Sequence, residues 1–160
     1  MAWSASAIFR EFITDSLANA VAYDLSGTGV DTFTAALYNN SITPDKDSAL
    51  TGYNEGSSQW VTANEVIDTT GGGTDWPAAG VNLASPALTN PSTGVVMWDA
   101  NDTASGSTAD IASAFGCLVY DNTLAGDPGV CYNYFGGSNS VTNGTFTIVW
   151  SANGVLRVTV

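Results

Sequence analysis

A two-residue alternation of apolar and polar side chains, interrupted by turn signals, is the strongest constraint on how this chain folds. Phe33, Ala35 and Leu37 stand at alternate positions, and a similar segment occurs at 146–150. The latter is followed by Asn153-Gly154 and then by a further alternating segment at 155–160. Successive side chains of a strand point to opposite faces, and Asn-Gly is the strongest short hairpin signal. We therefore expect segments 146–150 and 155–160 to pair as a hairpin.

Further short apolar segments predict more strands, at 81–83, 95–98, 115–120 and 130–134. Between residues 47 and 80 the chain is rich in Gly, Ser, Thr and Asn, with three glycines at 71–73, and predicts a long packed loop. Short strands at this spacing are typical of antiparallel sandwiches and barrels. The sequence thus predicts a mainly β protein. It would be a single domain over residues 1–160, an antiparallel β-sandwich or barrel-like body with an N-terminal amphipathic helix.

The predicted helix covers residues 3–20. Ile8, Phe9, Phe12, Ile13 and Leu17 fall at helical spacing on one face. In the first turn, Ser4 is the expected N-cap, with the residues at 3 and 8 as a hydrophobic staple. The apolar face either docks on the sheet or contacts a partner chain, and the sequence leaves both open.

Charge and composition narrow the function. The chain has 15 Asp and Glu against 3 Lys and Arg, a net charge of −12, and 44% hydrophobic residues. Clustered positive charge is needed to bind nucleic acid or an anionic membrane surface, so neither partner is expected. No apolar run of membrane-spanning length occurs, and the first residues lack the pattern of a secretory signal. We expect a protein that is made in a cytosol.

The residue types required for common catalytic sites are missing. The chain contains no histidine, which excludes Ser–His–Asp and Cys–His arrangements and histidine metal sites. Asp45 with Asp47, and Asp99 with Asp102, are carboxylate pairs, but glycoside hydrolysis requires two that face each other across a cleft. The segment at 99–103 has oxygen ligands at alternate positions without the glycine and distal glutamate of a calcium loop. We expect no enzymatic activity, no cofactor and no metal site.

Two cysteines flank the turn at 121–128. If the hairpin is centred near Leu124, Cys117 and Cys131 lie opposite each other and within reach of a disulfide. The alternative is a pair of buried free thiols, which a reducing cytosol favours.

A series of short motifs resembles a family of small structural proteins from tailed-bacteriophage virions. In order they are TAALYNN at 34–40, SITPD at 41–45, NEV at 64–66, Trp76 with GVNL at 80–83, AFGCLVYD at 114–121, YFGG at 134–137, SVTNGTFT at 140–147 and GVLRVTV at 154–160. They carry turns and strand faces, so the resemblance transfers no active site. The cysteine pair is not part of the general pattern.

The resemblance implies a capsid decoration, or cement, protein on the outer shell. Its partner would be the major capsid protein, it would be a homo-oligomer, with a trimer favoured, and it would assemble in the host cytoplasm and reside on the virion surface. A minor tail protein, or a host-facing adhesin or carbohydrate-binding module, is the alternative. The candidate partner contacts are large aromatic residues of the helix and the long loop, namely Trp3, Phe9, Phe12, Trp60 and Trp76.

Overall fold

The computed structural model describes residues 3–27, 29, 31–70 and 73–160. These residues form one α-helix, a short 3-10 helix (Thr62–Asn64) and eleven strands. The helix α1 spans Arg10–Ala18, and the strands in chain order are β1 (Ala7–Ile8), β2 (Phe33–Tyr38), β3 (Glu65–Val66), β4 (Val81–Asn82), β5 (Ala87–Ser92), β6 (Val95–Asp99), β7 (Thr103–Ala104), β8 (Ala109–Asp121), β9 (Gly129–Gly144), β10 (Thr147–Ile148) and β11 (Leu156–Thr159).

Antiparallel pairing joins these strands into three sheets. The main sheet has the order β1-β9-β8-β2-β3, with β4 also paired to β2. The second sheet has the order β11-β6-β5, and β10 pairs with β7 as a separate ladder. The protein is mainly β and sandwich-like rather than a closed barrel, with one helix near its N-terminus. This confirms the predicted fold class and decides between its two forms.

Both faces of the main sheet are covered. Every residue of its inner strand β2 is buried. On one face, Phe33 packs against Trp98 of β6, with ring centroids 4.7 Å apart. On the other, Tyr38 packs edge-on against Trp60 of the long loop at 5.1 Å. The second sheet therefore covers one face of the main sheet, and the loop with the N-terminal segment covers the other.

The helix is shorter than predicted because the chain before it is a strand. Residues 7–8 pair with residues 131–132 of β9, and the backbone N–H of Phe9 donates to the carbonyl of Val130 at 3.1 Å. These bonds hold the backbone extended up to Phe9, which is the N-cap and makes no side-chain capping bond. The predictions that Ser4 caps the helix and that Trp3 and Ile8 form a staple are wrong.

The predicted apolar face of the helix is only partly used. Phe12 is buried and packs on Tyr23 with ring centroids 4.8 Å apart. Ile13 lies at the margin, and Leu17 is 84% exposed. Because only one turn contacts the body of the protein, the apolar periodicity overestimates the buried surface of this helix.

The predicted C-terminal hairpin is also wrong. A turn does form here, but the N–H of Gly154, whose φ is 75°, donates to the carbonyl of Ser151 at 2.8 Å, so the turn spans residues 151–154 and is not centred on Asn153-Gly154. The two flanking segments then separate, since β10 pairs with β7 and β11 pairs with β6. The N–H of Trp150 donates to the Asp102 carboxylate at 3.1 Å, and the N–H of Val155 donates to the carbonyl of Trp98 at 2.9 Å. The segments before and after the turn are thus each bound to another part of the chain, and not to each other.

One buried carboxylate organises the far end of the long loop, which also contains β3 and the 3-10 helix. The Asp68 carboxylate accepts backbone N–H bonds from Thr70 and Asp110 at 2.9 Å each and a weaker bond from Asp75 at 3.4 Å. Hydrogen bonds to the charged form hold the pKa of Asp68 below its usual value. These bonds therefore hold the loop against the start of β8, at Asp110. Gly71 and Gly72, part of the predicted glycine run, lie outside the described residues.

Candidate functional site

The five aromatic residues predicted to contact a partner lie in the core of this chain. Their exposed fractions range from 0% to 4%: Trp3, Phe9, Phe12, Trp60 and Trp76. Trp3, Phe9 and Trp60 lie on the face of the main sheet that Tyr38 also faces, and Phe12 lies in the first turn of α1. The ring of Trp76 packs against that of Phe146, with centroids 5.8 Å apart. A partner cannot reach these side chains in this fold. The sequence analysis correctly singled out these side chains as large apolar groups that pack, but it assigned their contacts to a partner, whereas they pack within this chain.

Trp60 is the centre of that layer. Its ring lies 5.8 Å from Trp3, 5.9 Å from Phe9 and 5.9 Å from Tyr132, all between ring centroids. The indole N–H of Trp3 donates to the carbonyl of Asn39 at 2.9 Å, which fixes the chain before the helix against the end of β2. Aromatic packing therefore holds the N-terminal segment and the long loop on the sheet.

The two cysteines are displaced from the predicted register. Cys131 pairs with Val119, and Cys117 pairs with Asn133, so the cysteines are diagonal neighbours on one face rather than opposed residues. Diagonal residues are about 7–8 Å apart, beyond the usual Cα separation of a disulfide. Both thiols are free and buried, and burial raises the pKa of Cys131 to about 12 and that of Cys117 further.

The carboxylate pairs noted in the sequence stabilise turns. The Asp45 side chain accepts the N–H of Asp47 at 2.9 Å, and the Asp47 carboxylate bonds the ammonium of Lys46 at 2.6 Å. Asp99 accepts the N–H of Ala100 at 2.9 Å. No group of three or more Cys, Asp or Glu residues suited to a metal ion occurs among the described residues.

An uncharged groove runs between β9 and the segment that contains β10. We call this depression the β9 groove. Its larger part has a volume of about 360 Å³ and is lined by Tyr134, Phe135, Asn139, Phe146, Thr147, Ile148 and Val149. A smaller continuation of about 160 Å³ adds Ser6, Asn133, Trp150, Ser151 and Gly154. No charged side chain lines either part, in a chain with a net charge of −12.

Strand edges border the β9 groove. The strand β9 pairs with β8 along its length but with β1 only at residues 131–132. Beyond that point its second edge has no strand partner among the described residues, and the N–H of Tyr134 donates to the Ser6 hydroxyl at 2.9 Å. Similarly, β7 is the one strand of the described residues that pairs with β10. Edges of this kind can accept an extended segment from another chain.

The sequence contained a signal for this groove that the strand alternation obscured. Val149 sits between Ile148 and Trp150, so three apolar residues follow one another where alternation demands a polar one. Ile148 is buried, whereas Val149 is 72% exposed. An exposed apolar residue directly after a strand is such a signal, and Val149 lies in the lining of the β9 groove.

A second site centres on Glu65, which directly opposes Tyr38 in the β2–β3 pair. The Tyr53 hydroxyl donates to one carboxyl oxygen at 2.9 Å, and the other oxygen is buried without a hydrogen-bond partner. Burial raises the pKa of Glu65 to about 7, against the opposing effect of the Tyr53 bond. An adjoining depression of about 380 Å³ is lined by Asn39, Glu65, Val66, Ile67, Thr69, Ala112 and Ser113. This carboxyl can change charge near neutral pH, and the lining adds the hydroxyls of Thr69 and Ser113 but no second acid and no base.

Comparison with known proteins finds no relative of this chain. No protein-family model, no curated protein and no solved structure matches the chain. Within the described residues, no helix is long and apolar enough to cross a membrane.

Proposed function

We propose that the protein is a non-enzymatic structural protein of a bacteriophage virion, which decorates the outer shell and docks through the β9 groove. The uncharged lining of the groove is the observation that carries this proposal. A partner segment that enters it meets apolar and uncharged polar side chains and a strand edge, and no acidic side chain. The motifs that resemble phage structural proteins supply the kind of partner.

The occupant proposed for the groove is an extended apolar segment of the major capsid protein. Its backbone would pair with the free edge of β9, and its side chains would lie against Phe135 and Val149. A decoration protein that binds only the assembled shell stabilises that shell by mass action. The acidic remainder of the surface would keep neighbouring particles apart.

The direct test is to add purified protein to shells assembled without it. We expect the wild-type chain to sediment with these shells, with a copy number close to that of the shell subunit by cryo-electron microscopy. Val149→Asp places a charge in the groove at an exposed position and is expected to abolish binding while leaving the melting temperature unchanged. The matched control is Leu17→Asp, because Leu17 is equally apolar and 84% exposed but lies on α1.

Two results would reject the proposal. Full binding by Val149→Asp would show that the groove is not the docking surface. A few copies located only at the tail would instead support the minor tail protein or host-facing adhesin.

A further inference from the structure

The β9 groove continues at one end into a further depression, which lies between β1 and β11. This depression has a volume of about 190 Å³. Its walls include residues 7–8 of β1, on the side of the main sheet, and residues 155–157, which lead into β11. Ser6 and Asn133 line both this depression and the smaller part of the β9 groove. The two therefore adjoin, along the side of the sandwich where β1 and β11 are the end strands of their sheets.

The further depression differs from the β9 groove in its charge. Arg157 lines it and is exposed, whereas no charged side chain lines the groove. The guanidinium of Arg157 donates to the side-chain oxygen of Asn153 at 2.5 Å. Asn153 belongs to the turn at residues 151–154, which borders the groove through Ser151 and Gly154. The positive charge is therefore held beside this turn, where the groove passes into the further depression.

The charge of Arg157 is not balanced by a carboxylate of this chain. Of the three basic side chains, Arg10 and Lys46 both bind Asp47. Within the described residues Arg157 forms no ion pair, and the group that it bonds is the neutral amide of Asn153. A guanidinium carries several N–H donors in a planar fork that matches a carboxylate. The donors that do not bond Asn153 can therefore bind an acidic group of another chain.

We propose that the segment bound in the β9 groove is an extended polypeptide with an Asp or Glu residue at one end, whose carboxylate pairs with Arg157. This inference rests on the proposed docking role of the groove and specifies the chemistry of the partner. The apolar side chains of the segment lie against Phe135 and Val149, and its acidic side chain accepts hydrogen bonds from the guanidinium.

Charge complementarity supports this assignment and fixes the position of the segment. The chain has a net charge of −12, so a carboxylate of the partner is repelled by most of the surface. Next to Arg157 it meets a positive charge, and a basic residue of the partner would be repelled at the same place. The acidic residue therefore selects one register of the segment along the groove.

The test begins with a selection from a library of random linear peptides. The peptides are displayed between fixed flanks, so that none has a free C-terminal carboxylate. We expect the wild-type protein to enrich peptides with apolar residues at alternate positions and an Asp or Glu near one end. Replacing that acidic residue by its amide should weaken binding by about fivefold, as measured by fluorescence anisotropy of the labelled peptide. High salt should reduce this difference.

Variants of the protein locate the contact. Arg157→Gln should bind the acidic peptide and its amide equally, because the positive charge is gone. Arg10→Gln is the matched control: it removes the same charge from α1, where Arg10 pairs with Asp47, and should keep the difference. Val149→Asp places a charge in the groove and should bind neither peptide. If Arg157→Gln fails to fold, the salt dependence of the wild-type protein tests the same contact.

Two kinds of result would overturn the inference. Selected peptides without an acidic residue, or a preference for the acid that persists in Arg157→Gln, would remove Arg157 from the contact. Enrichment of no peptide would show that the groove does not accept an extended segment.

A failure of the proposed function gives a different result. Acid-dependent peptide binding by a protein that does not bind assembled shells would reject the virion role and retain the chemistry assigned to the groove. Shell binding that is unchanged in Arg157→Gln would retain the virion role and reject the acidic partner.

Discussion

At the scale of single residues, Gly116 shows how a missing side chain permits a layer of the fold. It lies in β8, where the indole ring of Trp3 packs directly over it. A Cβ atom at this position would lie 2.5 Å from that ring and 2.5 Å from the carbonyl oxygen of Asn133. Such distances require the neighbours to move, so the aromatic layer depends on glycine here.

We therefore expect Gly116→Ala to lower the free energy of unfolding by about 1–3 kcal/mol through overpacking. Urea unfolding followed by tryptophan fluorescence measures the change. Gly137→Ala is the control, because a Cβ there meets nothing within 4 Å. If both variants are equally stable, Trp3 does not pack against β8 as described.

The raised pKa of Glu65 predicts how the stability of the protein changes with pH. Its pKa in the folded chain, about 7, is above the unfolded value, so its neutral form favours folding. This contribution is fully present below the unfolded pKa of about 4.3 and is lost as the pH rises through 7.

Glu65→Gln should remove that loss and be more stable than wild type above pH 7, by about 1–2 kcal/mol after allowance for partial solvent access. The measurement is the free energy of unfolding from pH 4.5 to 8.5, with Glu55→Gln as the control for a charge change in the same loop. A constant difference between variant and wild type across this range would contradict the assigned pKa.

At the scale of elements, α1 attaches to the body through few side chains. Phe12→Ala should lower the free energy of unfolding by about 3–5 kcal/mol, because it empties a buried aromatic site. Leu17→Ala, on the same predicted face but exposed, should change it by less than about 0.5 kcal/mol. Chemical denaturation of both variants tests the difference. Equal losses would mean that the whole helical face is buried, as by a partner copy.

The same element shows where sequence reasoning succeeds and where it fails. The apolar spacing around Phe12 correctly indicated a helix, because it depends on residues three and four apart. The start of that helix is set by pairing of residues 7–8 with β9, more than 120 residues away, which local spacing does not record. The prediction for the C-terminal arms is wrong for the same reason: the turn at residues 151–154 is local, but the segments on its two sides pair with β7 and β6.

The β9 groove, likewise, could be predicted from the sequence only in part. The strands that form the β9 groove were predicted, in part, from alternation, and Val149 marked the exposed apolar position. That β9 has a free edge beyond Tyr132 follows from the order of strands in the sheet. The residues that neighbour β9 in the chain do not contain this information.

At the scale of the whole molecule, the cysteines report on the packing of its layers. Cys117 and Cys131 are buried and their pKa values are raised, so the reactive thiolate is scarce and inaccessible. We expect no alkylation by iodoacetamide in native buffer and modification of both thiols in urea, as measured by intact mass. Rapid native labelling would contradict the packing, and resistance in urea that reductant relieves would indicate a disulfide.

The pairing of β1 with β9 also has a consequence for the time course of folding. The strands β8 and β9 are joined by a short turn and can meet early, but Ser6 and Tyr134, which share a hydrogen bond, are 128 residues apart in the chain. Contacts between such distant residues are slow to form, because a long loop must close first. The N-terminal segment would then join β9 late, and the aromatic layer around Trp60 would reach its final packing only when that segment arrives.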